Sequence, residues 1–206
     1  MALTRERIVD AGLALADKHG LEAVSMRRVA GELGVKAMSL YNHVAGKDAL
    51  LDGMLERVLD EVTLPVAGRE WEAELRRCSL SLHDAIRRHP WACGLAMAPA
   101  AFPSALGARA RYIEAILRTL REAGFTAEQA YHGYHALDGH TVGITMWELG
   151  HTVADQSRVE DARRQIAAGD YPYLLEHSRE HQADHQSAFA FGLALVFDGL
   201  RRMRVT

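Results

Sequence analysis

Cysteine is nearly absent from this 206-residue chain, which has two, Cys78 and Cys93. Their spacing fits no zinc motif and they build no disulfide framework, so free thiols in a reducing compartment are expected. Proline is scarce too, five in all, which leaves long stretches without the residue that breaks helices. No apolar run approaches the ~20 residues of a membrane span. The opening Met-Ala-Leu-Thr-Arg-Glu-Arg is charged at once and lacks the apolar core of an export signal. A cytoplasmic location without a membrane partner is expected. No Gly-rich phosphate loop, nucleophile elbow or His-Glu-x-x-His motif occurs, and acids such as Glu160 and Asp161 are explained by capping and solvation, so no enzyme is expected. A basic excess is also missing. The formal net charge is −3, and residues 1–62 carry 8 Lys/Arg against 10 Asp/Glu, whereas nucleic-acid-binding domains are ordinarily basic. Sustained strand alternation, internal repeats and low-complexity tracts are absent as well.

What is present is helix. At 49% hydrophobic and 25% charged residues the composition is that of a globular protein, long enough for one large domain or two small ones. Thr4 is placed to cap a helix over 5–19 that Gly20 ends. Ser25 is placed to cap the next, where Met26, Val29, Ala30 and Leu33 recur at helical spacing. Gly34 falls where a helix ends in a left-handed residue. Val35, Leu40 and Val44 give the following helix a buried side and leave Lys36, Ala37, Met38, Ser39, Tyr41, Asn42 and His43 largely outward. This is the pattern of a helix-turn-helix, about 25–44, whose second helix enters the DNA major groove. From Met26 to Lys47 the cations are Arg27, Arg28, Lys36 and Lys47 and the only acid is Glu32, a small basic face on an acidic chain.

A longer helix over about 47–62 has an apolar stripe (Leu50, Leu51, Met54, Leu55, Val58, Val62) wider than a three-helix unit needs, so it is expected to link two domains, 1–62 and 66–206. Beyond it the pattern is helical almost throughout: a helix from Trp71 that stops before Pro90, a short apolar segment from Trp91 to Met97, then helices over 109–122, about 127–150 and about 186–203. Thr126 with Gln129, and Ser157 with Glu160, are spaced as capping boxes, and Pro172 suits a first helical position. The helices at 127–150 and 186–203 are apolar on more than one face, and pairing both with their copies in a homodimer would bury the surplus. The expected fold is all-α: a three-helix DNA-binding domain, a linking helix and a larger helical domain.

Residues 5–62 resemble the DNA-binding domain of the TetR family of bacterial regulators. The matching stretches are Ile8-Val9-Asp10-Ala11-Gly12-Leu13, His19-Gly20-Leu21-Glu22, Ser25-Met26-Arg27-Arg28-Val29-Ala30, Leu33-Gly34-Val35, Ser39-Leu40-Tyr41-Asn42-His43-Val44 and Lys47-Asp48-Ala49-Leu50-Leu51-Asp52. More weakly, Trp71-Glu72-Ala73-Glu74-Leu75, His89-Pro90-Trp91, Ala123-Gly124-Phe125 and Phe191-Gly192-Leu193 through Asp198-Gly199-Leu200 are similar to the effector-binding domain of the tetracycline-repressor branch. The resemblance implies a homodimeric repressor that leaves its operator when a small molecule binds the C-terminal domain. It implies a base contact for Arg27, phosphate contacts for Tyr41, His43 and Lys47, and reading positions for Ala37, Met38, Ser39 and Asn42. Tetracycline repressors have glutamine and proline at the positions of Ala37 and Met38 and tryptophan at that of Asn42, which implies a different operator. Apolar contacts, for example to thymine methyls, are what Ala37 and Met38 can make, whereas Arg27 can fork onto guanine.

For the effector pocket the expected lining is Trp91, Met97, Phe102, Tyr112, Ile116, His135, Asp138 and Trp147, mostly apolar with a few polar handles, suited to a small and largely apolar effector. No cofactor is expected. The histidines at 177, 181 and 185, and those at 132, 135, 140 and 151 with Glu148, have spacings that zinc or nickel could use, but no metal ligand is assigned. A ligand-responsive activator and a metal-responsive regulator of the same fold are the alternatives that the sequence leaves open.

Overall fold

The computed structural model describes residues 2–96, 106–152, 156–180 and 185–204, and among these every element is a helix. Thr4 starts the first. Its hydroxyl accepts the Arg7 backbone N–H at 3.3 Å, and α1 runs over Arg5–His19 until Gly20 leaves it at φ +79°. After a 3-10 turn at Leu21–Ala23, the Ser25 hydroxyl accepts the Arg28 N–H at 3.3 Å and opens α2, Met26–Glu32. Gly34 stands at φ +66°, and the Val35 N–H reaches back to the Ala30 carbonyl at 3.0 Å. That closure needs a left-handed residue, which a side chain would strain. The next helix, α3, is one turn, Ala37–Leu40, and the N–H groups of His43 and Val44 both bond the Leu40 carbonyl beyond it at 2.9 Å.

The fourth helix, α4 (Lys47–Asp60), crosses α1 closely because two glycines face the contact. A Cβ on Gly12 would stand 3.0 Å from Met54 Sδ, and one on Gly53 would stand 2.9 Å from Val9 Cγ2. The first core forms around this crossing from Ile8, Val24, Val29, Leu40, Leu50 and Met54, all but sealed from solvent.

The remaining helices are α5 (Trp71–Arg88), α6 (Ala92–Ala96), α7 (Leu106–Glu122), α8 (Ala127–Thr152), α9 (Gln156–Ala168), α10 (Pro172–Glu180) and α11 (His185–Arg204). Thr126 and Gln129 form the reciprocal capping box at the start of α8, at 2.9 and 3.1 Å. Ser157 of the second expected box lies outside the residues whose side chains are described. α8 is the centre of this half and packs on α5, α7 and α11. The second core is organised by aromatic contacts. Trp71 meets the edge of Phe125 at 5.2 Å and lies 6.0 Å from Phe197, over which Arg76 stacks at 4.7 Å. Leu55, Val58 and Val62, on and just beyond α4, belong to this second core, while Leu50 and Met54 of α4 belong to the first. One helix is thus built into both.

Some apolar surface is left outside. Tyr131, Met146 and Trp147 on α8 and Phe191 and Leu195 on α11 are exposed large hydrophobic residues. Between them on the outer face of α8 lie Gly139 and Gly143, where an added Cβ would meet nothing within 4 Å.

Candidate functional site

Three places carry chemistry: the face of α2 and α3, the junction between the two cores, and a cavity in the second core.

On the first face, Arg27, Arg28, Lys36, Met38, Tyr41, Asn42, His43 and Lys47 are exposed, Ala37 and Ser39 are half-buried, and Leu40 and Val44 are buried beneath them. Met38 stands out most, at 74% exposure. All ten of these expected contact residues fall between Arg27 and Lys47, eight of them exposed and none buried. Among the described residues, Arg27, Arg28, Lys36 and Lys47 form no ion pair. Two cations at the α1–α4 crossing do: Arg5 with Glu56 at 3.4 Å and Arg57 with Asp10 at 3.3 Å. Lys47 begins α4, whose cap residue Gly46 offers no side-chain hydrogen bond. No side chain caps the first amides of that helix, and Lys47 and Asp48 share its first turn.

At the junction, the buried His89 imidazole spans two carboxylates: Nδ1 lies 2.8 Å from Asp17 on α1, and Nε2 lies 3.3 Å from Glu61 just past α4. The Trp91 indole N–H donates to the same Asp17 oxygen at 2.7 Å, and Arg88 pairs with Glu61 at 2.8 Å. Arg111 on α7 holds Asp60 at 2.6 Å. α1 and the end of α4 are thus fixed to the second core through side chains from α5, the turn between α5 and α6, and α7.

The cavity lies between α4, α5, α6, α7 and α8. Leu55, Val58, Leu59, Leu82, Ile86, Ala92, Cys93 and Val142 make its apolar walls, and Arg109, Tyr112, Tyr134 and Asp138 make its polar wall. The void measures about 540 Å³ with its mouth included, and about 60 Å³ of this is room in which the centre of a water molecule can move. The Tyr112 hydroxyl donates to Asp138 Oδ1 at 2.9 Å. Burial pushes the Asp138 carboxyl above its usual range, against the hydrogen bond from Tyr112 and the positive charge of Arg109. Burial also raises Tyr112 well above the ordinary phenol and Tyr134 to about 12.

Of the expected pocket residues, Tyr112 and Asp138 line this cavity. Ile116 is buried in the surrounding core and Trp91 serves the junction. His135 and Trp147 are turned away. Both are exposed on α8, and His135 Nδ1 lies 2.9 Å from the Tyr131 carbonyl one turn back. Met97 and Phe102 lie outside the described residues. Arg109 and Tyr134 were missed by the sequence reading. The signal that could have found Tyr134 is its position one helical turn before Asp138. Among the described residues there is no group of three or more His, Cys, Asp or Glu arranged to hold a metal, and the side chains of His177, His181 and His185 are not among those described.

Comparison with known proteins gives this arrangement a family. The model for bacterial regulatory proteins of the tetR family matches residues 8–54, and the model for the tetracyclin repressor-like C-terminal domain matches residues 64–204. The chain belongs to the TetR family. Among its TetR-family relatives, the HTH-type transcriptional repressor DrrR1 of Streptomyces coeruleorubidus is 33% identical over 212 residues, covering 96% of this chain and 77% of the relative. The class C tetracycline repressor of Escherichia coli is 30% identical over 216 residues, covering 99% and 93%. Apo ActR from Streptomyces coelicolor superposes with a TM-score of 0.80 at 27% identity, covering 99% of this chain and 98% of that one. ActR is also known in complexes with (S)-DNPA and with actinorhodin. As a TetR-family regulator the protein carries its DNA-binding unit in the first core, and the second core matches the C-terminal domain of that family. No described helix is long and apolar enough to cross a membrane.

Proposed function

We propose that this protein is a homodimeric repressor that occupies an operator through residues 27–47 and is released when a small, largely apolar molecule enters the cavity of the second core. Arg27, Arg28, Lys36 and Lys47 form no ion pair among the described residues, while Arg5 and Arg57 at the α1–α4 crossing do, and this contrast is the observation that carries the reading. Arg27 reaches a base edge, Tyr41, His43 and Lys47 hold phosphates, Ala37 and Met38 offer apolar contact to thymine methyls, and Arg28, Lys36, Ser39 and Asn42 complete the contact surface. The outer faces of α8 and α11 meet their copies across a twofold axis. The exposed Tyr131, Trp147, Phe191 and Leu195 support that pairing, and Gly139 and Gly143 allow a close approach of the second copy.

Release follows from α4. Its Leu55, Val58 and Leu59 are one wall of the cavity, its Leu50 and Met54 are the floor of the reading head, and its first residue is Lys47. The free room in the cavity is small, so an entering molecule displaces walls. A shift of α4 changes the separation of the two reading heads from the ~34–36 Å that successive major grooves require. A coupling of ~1–3 kcal/mol between the two sites is enough for a switch.

The test is an electrophoretic shift of the protein's own promoter region, with Tyr41→Ala and Lys47→Ala as variants. Each variant should weaken binding; Lys47→Ala, which removes one neutralised phosphate per protomer and two per dimer, should also lower the slope of log K against log salt by about 1.8, whereas Tyr41→Ala, which removes no charge, should leave the slope unchanged. Unchanged operator affinity in both variants refutes the assignment of the reading face, and a concentration-independent monomer in light scattering refutes the dimer.

A further inference from the structure

Among the described residues up to 62, two large hydrophobic side chains are exposed, Met38 at 74% and Tyr41 at 47%. Tyr41 has a hydroxyl to offer, whereas Met38 ends in a thioether, a weak acceptor with no donor. Its outward placement has a local cause. α3 is a single turn held on the first core by the buried Leu40, with Val44 buried just beyond it. Two residues of helix, about 200° of rotation, turn Met38 away from Leu40. Ala37 and Met38 are also the first two residues of α3, and the N-terminal end of a recognition helix is the end that meets base edges. This inference rests on the operator-binding role proposed above.

Residue type decides what these positions can read. Side chains that tell base pairs apart do so with paired hydrogen bonds to purine edges, Arg to guanine and Asn or Gln to adenine. Ala37 and Met38 have no such groups. The apolar feature of the major-groove edge is the C5-methyl of thymine, and the unbranched, polarizable methionine adapts its shape to cover it. Covering one methyl group strengthens binding about fourfold. Such a contact leaves the neighbouring atom unread, O4 in thymine or the N4 amino group in cytosine. 5-Methylcytosine carries the same methyl at the same ring position. We infer that Met38 recognises the C5-methyl group itself, whichever pyrimidine bears it, so that a C5-methylated cytosine takes the place of a thymine in the operator. The hold of this protein on DNA therefore responds to cytosine-5 methylation. Arg27, Ser39 and Asn42, which have hydrogen-bonding groups, supply the discrimination between bases.

The experiment begins with the protein's own promoter fragment, prepared with sparse random replacement of thymine by uracil. An electrophoretic shift with full-length protein separates bound from free DNA, and cleavage at uracil then shows which thymine methyls binding requires. At one such thymine in each half-site, operators are built with T·A, U·A, 5-methyl-C·G or C·G. Within each of the two comparisons the purine is fixed and only the methyl differs. With both half-sites changed, thymine should exceed uracil about fifteenfold, and 5-methylcytosine should exceed cytosine by a similar factor. In Met38→Ala both ratios should fall to within about threefold, while Met38→Leu, which keeps a long apolar side chain, should retain most of each. Because the side chain is exposed, neither variant should move the thermal midpoint appreciably.

Uracil that interferes at no thymine overturns the inference. So does a preference for thymine over uracil without a matching preference for 5-methylcytosine over cytosine, since the base and not its methyl is then being read. Ratios that persist unchanged in Met38→Ala overturn the role of Met38. A shift that is present but indifferent to methyl groups leaves the regulator reading standing and sinks this one alone, whereas a wild-type protein that shifts no fragment sinks both.

Discussion

Replacing His89 with alanine cuts the tie between the reading head and the second core without touching either the DNA face or the cavity lining. The imidazole is buried and spans Asp17 at 2.8 Å and Glu61 at 3.3 Å. A hydrogen bond to a charged group is worth about 1.5–3 kcal/mol when well sheltered. The two carboxylates are 30% and 35% exposed, and each keeps one partner after the substitution, Trp91 for Asp17 and Arg88 for Glu61. Solvent screening and these remaining partners bring the combined loss to about 1–2 kcal/mol. That free energy holds α1 against α5 and α6, so its loss should raise the local opening of α1 by about 5–30-fold. Amide hydrogen exchange of α1 residues, resolved by mass spectrometry or NMR, reads this directly. The salt slope of operator binding should not change, because no phosphate contact is lost. Trp91→Phe should produce a smaller effect of the same kind, since one hydrogen bond to Asp17 remains. Exchange of α1 that is unaltered in a folded His89→Ala protein refutes the idea that this histidine carries the head–core contact.

Phe125, 1% exposed and edge-on to Trp71, should cost about 3–5 kcal/mol on truncation to alanine, a large share of the stability of a single domain, visible as a lowered urea midpoint. His83, buried between Thr145 at 2.7 Å, Glu148 at 3.5 Å and a stacked Phe189 ring, is held below its ordinary value of 6.5 by burial, with Glu148 pulling the other way. Just below pH 6.5 the unfolded chain therefore binds more protons at this histidine than the folded one, so its contribution lowers stability as pH falls through that window; the thermal midpoint should drop less steeply there in His83→Gln. Burial pushes the Cys78 thiol to about 12 and Cys93 to about 11, so neither should be alkylated by iodoacetamide at pH 8 in the folded protein, while both react in urea. Rapid labelling of the native protein contradicts that placement.

The reading head was legible in the sequence because its determinants are local. The caps at Thr4 and Ser25, the stripe from Met26 to Leu33 and the turn glycine Gly34 act within a few residues of one another. α4 was legible for a related reason: its apolar stripe exceeded what one small core could bury, and the excess faces the second core. The cavity was not. Its lining comes from five helices, and α8, the one that supplies Tyr134, Asp138 and Val142, mixes apolar, small and polar residues on more than one face. Helical periodicity on such a helix does not say which face looks inward. His135 and Trp147 were assigned to the pocket by residue type, yet they share the outer face with Tyr131 and Gly143, while the inward row runs from Tyr134 through Asp138. His89 had the same difficulty in another form. Its partner Asp17 is 72 residues away, and no local pattern joins them.

The missing basic excess also has a structural explanation. Residues 1–62 hold more acids than cations, yet five of those acids, Asp10, Asp17, Glu56, Asp60 and Glu61, are engaged by Arg57, His89, Arg5, Arg111 and Arg88. Every one of these contacts lies at the α1–α4 crossing or at the junction with the second core. Four of these acids are exposed and Glu56 is half-buried, yet all stand where helices meet and tie the linking helix to its neighbours, and three of their five partners come from residues beyond 62. The cations of the reading face have no such partners among the described residues. A count over the domain averages two surfaces with different work and returns a small negative number. Separated by surface, the same residues give a front that can neutralise phosphates and a back that is electrostatically tied to the helices around the cavity. A change in the cavity therefore meets a head that is attached by charge and hydrogen bonds as well as by α4, and it can move as a unit instead of fraying.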